Sequence, residues 1–230
     1  MLKNFFVAAT ALASVMTLVN PVLAADAYVD PGYDWTGFYL GAQVGYDWLD
    51  NEVTLAPNGG AAYNTTKVNA DGFIGGLNAG YNWQTNNVVF GIEGDLEFKG
   101  IDDDYNIGAP FAATTGTIES NFQGSVRGRL GYALDRTLIY GTGGVTVASF
   151  QNTFFTPPAF FDDPKSTRVG WTVGAGIEHA FLENWTTRIE YRYTDFGGHK
   201  DNLDVFLAPP GYSKDNLTEQ SIRFALDYKF

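Results

Sequence analysis

The chain has 230 residues, of which 27 are Gly and 16% are aromatic. Only 17% are charged, below the roughly 25% usual in soluble domains. The absence of Cys excludes thiolate metal sites, thiol catalysis and disulfide stapling. A net charge of −12 argues against nucleic acid or any other polyanion as partner, because such partners require basic patches.

Residues 1–24 read as a secretory signal peptide. Lys3 supplies the positive start, and Phe5 to Val19 form an apolar stretch diluted by Thr10, Ser14 and Thr17. Pro21 breaks it, and Val22-Leu23-Ala24 puts small residues before a cut at Ala25. The apolar stretch is too short for a membrane-spanning helix, which needs roughly 20 residues. Residues 25–34 form a polar lead-in, expected in the periplasm, and 35–230 a single domain.

No later segment has useful helical periodicity. Eight runs of about eleven residues instead alternate apolar and polar positions, the mark of strands with two different faces. In chain order, the first sets Phe38, Leu40, Val44 and Trp48 against Tyr39, Gln43 and Asp47. The second sets Phe73, Leu77, Tyr81 and Trp83 against Asn78 and Asn82, and the third sets Phe90, Ile92, Leu96 and Phe98 against Glu93, Asp95, Glu97 and Lys99. The fourth opposes Phe122, Val126, Leu130 and Tyr132 to Gln123, Ser125, Arg127 and Arg129. The fifth, Thr137 to Phe150, is almost entirely apolar or Gly, and its faces stay unassigned. The sixth opposes Val169, Trp171, Val173 and Ile177 to Thr172 and Glu178, and the seventh opposes Trp185, Ile189, Tyr191 and Tyr193 to Arg188, Glu190, Arg192 and Thr194. The last sets Ile222, Phe224, Leu226, Tyr228 and Phe230 against Arg223, Asp227 and Lys229.

The connections alternate in length. Gln84–Asn87, Asp135-Arg136 and Leu182–Asn184 are tight, whereas 49–71, 100–120, 151–167 and 197–219 read as long loops. Short turns at one end and long loops at the other are the pattern of outer-membrane barrels, periplasmic and extracellular respectively. The expected fold is all-β: an eight-stranded antiparallel up-and-down transmembrane barrel.

The distribution of side chains supports the membrane. Aromatics cluster at both ends of the apolar face, with Trp48, Phe73, Phe98, Phe122, Phe150 and Trp171 at one level. Trp83, Phe90, Tyr132, Tyr140, Phe181, Trp185 and Phe230 occupy the other, as expected of two interfacial girdles. Lipid cannot hydrogen-bond a backbone, so the sheet has to close. The polar face then lines a lumen carrying Glu93, Asp95, Glu97, Glu178, Glu190 and Asp227, with Lys99, Arg127, Arg129, Arg188, Arg192, Arg223 and Lys229. Six acids against seven bases predict a nearly neutral interior. Eight strands enclose only enough room for side chains, and buried charges persist only when paired. An ionic plug is therefore expected. Removing Lys3 leaves 13 bases against 26 acids, and the four long connections hold thirteen of those acids and four bases, so the negative charge is external.

Three stretches carry a family resemblance. Asp34-Trp35-Thr36-Gly37-Phe38-Tyr39-Leu40-Gly41 closely resembles the opening strand of the small porin-family outer-membrane surface antigens of alphaproteobacteria. Gly170-Trp171-Thr172-Val173-Gly174-Ala175-Gly176-Ile177-Glu178 resembles their sixth strand, and Glu190-Tyr191-Arg192-Tyr193-Thr194-Asp195-Phe196-Gly197 their seventh. The resemblance runs from about residue 30 to the end, loops excepted. It implies a fold similar to the OmpA transmembrane domain and a structural or antigenic role in the cell outer membrane; some members are described as porins, others as haemin binders or adhesins. It also implies that Phe230, with Tyr228, Leu226, Phe224 and Ile222, is read by the barrel assembly machinery.

No catalytic set, metal site or cofactor is expected. His199, Asp201 and Ser213 fall in one connection, as any polar loop allows, and His179 falls near a periplasmic strand end. Asp102-Asp103-Asp104 offers hard oxygens for a divalent cation, but such runs more often keep a loop solvated. Gly75-Gly76 and Gly143-Gly144 precede no helix and read as close strand contacts. Phe154, Phe155, Phe160 and Phe161, around Pro157-Pro158, make the third connection unusually apolar and suited to an interaction patch for a host surface or haem. Lipid and lipopolysaccharide are the remaining expected partners. A structural surface barrel is the first reading, with a narrow porin or a surface receptor as alternatives.

Overall fold

The computed structural model describes residues 32–57, 64–107, 114–156, 159–162, 166–202 and 211–230. The expected signal peptide, 1–24, lies outside them, as does 25–31 of the lead-in. The elements are β1 Gly37–Pro57, β2 Asn64–Thr85, β3 Val88–Ile107, β4 Thr114–Leu134 and β5 Thr137–Thr156, then β6 Ala159–Asp162, β7 Ser166–Ala180, β8 Trp185–Asn202 and β9 Gly211–Lys229. β6 is four residues folded back on the end of β5. The other eight close an antiparallel ring in the order β1-β2-β3-β4-β5-β7-β8-β9, with β9 returning to β1.

Alternation dictates which face each residue takes. Outward positions such as Val44, Phe73, Leu96, Leu130 and Val169 are exposed, Phe73 to 76%, while Gln43, Glu97, Arg129 and Thr172 turn inward and are buried. β5, unassigned from sequence, turns Ile139, Val145 and Val147 outward and buries Leu138, Tyr140, Thr142, Thr146 and Ala148. Tyr140 was expected in the lipid-facing girdle; it is 3% exposed and points into the lumen. The girdles hold elsewhere. At the periplasmic end Trp83 stacks on Phe90 with ring centroids 5.6 Å apart, and Tyr228 lies edge-on to both Trp185 and Phe230 at 5.1 Å. At the other end Tyr46 packs against Trp48 and Phe73, and Phe98 against Phe122. The side chain of Phe150 lies outside the description. From Phe73 to Trp83 the wall rises about 25 Å at ~3.3 Å per residue and ~40° tilt, the height of the apolar band.

The strands do not stop at the girdle. β1 to β5 run 20 to 22 residues each, so most of the described residues in 49–71, 100–120 and 197–219, expected as loops, continue the ladders. Beyond the girdle the outer face no longer meets lipid and need not be apolar, so the alternation that marks a strand fades from the sequence while main-chain pairing persists. Irregularities mark the exit: the register shifts between Phe98 and Ile101, between Ser120 and Phe122, and between Asp195 and Gly198, where Gly197 adopts φ +70°.

Two ladders end early. β2 and β3 part above Phe73↔Gly100, and β7 and β8 part above Trp171↔Asp195. Beyond those points Asn64–Gly72 pairs only with β1 and Ile101–Ile107 only with β4, while Ser166–Gly170 pairs with β5 and Gly198–Asn202 with β9, among the described residues. The extracellular half is thus two sheets, β8-β9-β1-β2 and β3-β4-β5-β7, rather than a closed tube.

Candidate functional site: the charge-filled lumen

Among the described residues, fourteen charged side chains are buried inside the ring: Asp47, Glu93, Asp95, Glu97, Glu178, Glu190, Glu219 and Asp227, with Lys99, Arg127, Arg129, Arg188, Arg192 and Arg223. Eight acids against six bases leave two net negative charges, not the near-neutral balance expected. Three residues account for the difference. Asp47, not among the six acids expected there, faces the lumen, and Glu219 sits in β9 rather than in a loop. Lys229 does not join the network: it is half-buried at the periplasmic rim, where it donates to the Asp34 carbonyl and holds its ammonium 4.2 Å from the centre of the Tyr33 ring.

Register stacks these groups in levels. Nearest the periplasm Arg129 pairs with Glu178, which also accepts from Thr186, and its guanidinium lies 3.8 Å over the Tyr140 ring. Beside it Arg188 bridges Glu93 and Asp227, and Asn78 donates to Asp227. At mid-height Arg127 joins three acids, Glu93, Asp95 at 3.1 Å and Glu190 at 2.6 Å, while Arg192 reaches Glu190 at 3.0 Å and Asp95 at 3.3 Å. Toward the exterior Arg223 forks onto Glu97 through Nε at 2.7 Å and Nη2 at 2.9 Å, and Lys99 lies 2.6 Å from Asp47 and also pairs with Glu219. Gln43 donates to Glu97 at 2.8 Å and Ser125 to Asp95 at 2.6 Å. Charge-assisted, partly bidentate contacts of this kind are the ones that hold buried ions.

Apolar clusters flank this column at both ends. On the extracellular side Leu49, Ala70, Ala148, Phe196 and Leu217 pack together. On the periplasmic side Tyr33, Trp35, Val89, Ala133, Leu138, Tyr140 and Ala180 do so. The second layer includes a strap that sequence reading placed outside or at the very edge of the barrel. Trp35, 1% exposed, donates its backbone N–H to Gln84 Oε1 at 2.7 Å and its indole Nε1–H to the Asp135 carbonyl at 3.1 Å. The backbone N–H of Tyr33 donates to Asp135 Oδ1 at 3.2 Å. Asp135 belongs to the β4–β5 turn, three strands from β1, so the chain crosses the barrel mouth to get there. Asp135 and, in the β2–β3 turn, Asn86 take left-handed φ of 53° and 54°, which short polar side chains tolerate. Burial, then the carboxylates of Glu178 and Glu183, push the Tyr33 phenol up to about 12. The backbone N–H of Thr36, bonded to the Asp34 carboxylate, holds that carboxyl below its usual range.

The remaining sequence candidates fall outside this column. His179 is exposed at the periplasmic end with Nδ1 3.0 Å from Thr137 Oγ1. In the β8–β9 ladder His199 is register partner of Asp215 and Asp201 of Ser213; the side chains of His199, Asp201 and Ser213 lie outside the description. Asp102, Asp103 and Asp104 lie in the outer part of β3. Phe154 faces Phe161 and Phe155 faces Phe160 across the β5–β6 ladder, and the Pro157-Pro158 tip lies outside the described residues. Gly75-Gly76 and Gly143-Gly144 are strand residues. Phe230 donates its backbone N–H to the Phe38 carbonyl at 3.0 Å and sets its ring 5.5 Å from that of Phe38.

A closed antiparallel ring with an apolar outer wall, two aromatic girdles and a packed ionic interior defines an outer-membrane β-barrel. The chain belongs to the outer membrane protein beta-barrel domain family, whose model matches residues 5–230. It is 32% identical over 213 residues to the 22 kDa outer membrane protein of Rhizobium leguminosarum bv. viciae, spanning 90% of this chain and 83% of that protein. It is 34% identical over 242 residues to the 31 kDa outer-membrane immunogenic protein of Brucella melitensis biotype 1, spanning 97% and 95%. Among solved structures, OprG from Pseudomonas aeruginosa superposes with a TM-score of 0.55 at 14% identity over 86% of this chain and 98% of that one, a likeness of fold alone. The protein is a surface barrel of the Gram-negative outer membrane.

Proposed function

We propose that the protein is a non-conducting structural barrel that stabilises the outer membrane and displays its extracellular hairpins, without enzymatic activity. The observation that supports this reading is the filled lumen: each of the fourteen buried charges among the described residues has an oppositely charged partner, and apolar clusters lie above and below. An ion crossing such a column would have to separate several buried pairs, each of which leaves an uncompensated charge when broken. Conductance of the refolded mature protein in a planar bilayer tests it, with heat-modifiable gel mobility as the folding control. Electrical silence supports the structural reading; stable discrete channels would establish the narrow porin instead.

Lipopolysaccharide and lipid contact the girdles in this reading, and Phe230 and Tyr228, at the closing end of β9, serve as the signal for the assembly machinery. One further observation favours a surface ligand, host surface or haem: the β5–β6 ladder pairs Phe154 with Phe161 and Phe155 with Phe160 at the outer end. Removing residues 154–161 is expected to lower adhesion or haem uptake without changing folding; unchanged binding removes this second reading.

A further inference from the structure

We propose that the outer edge of β3, Ile101–Ile107, is a docking edge for an extended, Lys- or Arg-rich polypeptide segment, which joins it as an added antiparallel or parallel strand. The edge exists because β2 and β3 part above Phe73↔Gly100, leaving Ile101–Ile107 with β4 as its only ladder partner among the described residues. Alternate backbone N–H and C=O groups along it therefore point into the seam, where a further strand takes them up through main-chain hydrogen bonds.

Charge selects the occupant. Asp102, Asp103 and Asp104 lie in the edge, and its partner segment Thr114–Ser120 adds Glu119 and no base. Asp102 and Glu119 are register partners, so two acids sit directly opposite each other, an arrangement that destabilises a ladder. A cationic neighbour on the free side relieves that repulsion. The three other parted segments are balanced or basic: Lys67 with Asp71 on β2, Arg168 on β7, and Lys200 with Asp201 on β8. Acidity is concentrated on the β3 edge. A second copy presenting the same edge would set Asp against Asp, which disfavours self-pairing and leaves a basic partner as the match.

The test uses the refolded mature protein in detergent micelles, its folding checked by heat-modifiable mobility. The probe is a fluorescent eight-residue peptide alternating Lys and Val, with a Glu–Val peptide as control. The Lys–Val peptide is expected to bind at least about tenfold tighter than the control and to weaken as salt rises, as exposed charge pairing requires. It should also protect backbone amides in 101–107 from exchange. Adjacent strand residues point their N–H groups to opposite sides, so one of Asp103→Pro and Asp104→Pro removes an edge-facing donor and is expected to abolish binding. The variant D102N/D103N/D104N, which removes the three β3 charges and keeps every backbone donor, is expected to weaken it about tenfold. Equal binding of both peptides, or protection outside 101–107, would overturn the proposal. Calcium alone giving the same protection and displacing the peptide would make this a cation site instead.

Discussion

The phenol of Tyr140 lies over Gly176, its register partner on β7, and donates to Glu190 at 3.0 Å beyond it. A Cβ at Gly176 would come within 2.6 Å of that hydroxyl and 2.5 Å of the Ile189 carbonyl. Tyr39 repeats the device across the barrel: it faces Gly80 in register and donates to Glu93 at 2.7 Å. Each aromatic covers the glycine it is paired with, restoring packing that the bare strand lacks. Each hydroxyl also satisfies an acid at the centre of the ionic column. Gly176→Ala is therefore expected to lower stability by about 1–3 kcal/mol through overpacking, read as a shift of the urea midpoint in micelles. Tyr140→Phe keeps the ring and loses only the bond to the carboxylate, about 1.5–3 kcal/mol.

Arg127 is the hub of the lumen, with Glu93, Asp95 and Glu190 around one guanidinium. Arg127→Met leaves three buried carboxylates short of their shared partner, and a loss of about 3–5 kcal/mol is expected. The periplasmic pair Arg136–Glu183 is far more open to solvent. Breaking it with Glu183→Gln should change stability by about 0–1 kcal/mol. The temperature at which the heat-modifiable band shifts compares the two variants directly. Equal shifts would contradict the distinction drawn between a buried and a surface pair.

Trp35 closes the periplasmic mouth with its ring, its indole N–H and its backbone N–H. Trp35→Ala is expected to destabilise by about 3–5 kcal/mol, as large-to-small core changes do. It should also let water reach the lower ion pairs, so a silent bilayer trace is expected to acquire flickering current. A silent, equally stable variant would mean the strap is ornamental to the seal.

Tyr33 predicts an alkaline limit. Its phenol is held protonated beyond its usual value of 10, to about 12 in the folded barrel. A group whose folded pKa is raised contributes stability that is complete below its unfolded pKa and lost as pH rises through its folded one. The contribution is therefore full below pH 10 and lost between 10 and about 12. Tyr33→Phe is expected to flatten the decline of stability over that window, measured by denaturation at stepped pH.

Much of the barrel was legible because lipid imposes a strict period on the sequence. Phe38 to Trp48 and Val88 to Phe98 can be assigned face by face, since the outward positions are apolar or Gly and the inward ones are polar or Gly, apart from Tyr39 and the periplasmic Val89. β5 could not, because Thr142, Gly143, Gly144 and Thr146 suit either face, and that ambiguity sent Tyr140 to the wrong side. Glu219 escapes the alternation for a related reason: above the girdle the outer face no longer has to be apolar, so the buried acid that pairs with Lys99 reads as loop. The Tyr33–Trp35 strap carries no period at all. Its only signal was a family motif, whose physical meaning emerged when Trp35 was found bonded to Asp135, a hundred residues away in sequence.

The seam between β1 and β9 pairs residues from opposite ends of the polypeptide, from Tyr39↔Lys229 to Pro57↔Gly211. Its contacts span nearly the whole chain, the kind of topology that folds slowly because distant segments must meet before any reward is gained. Until β9 arrives there is no ring, and both terminal strands remain open edges, hazardous in any aqueous compartment. Closure therefore acts as an inspection of length. A chain that broke off before Gly211 would possess most of the wall and most of the inner charges yet no means of sealing them from lipid, and would remain a substrate for periplasmic proteolysis rather than a resident of the membrane.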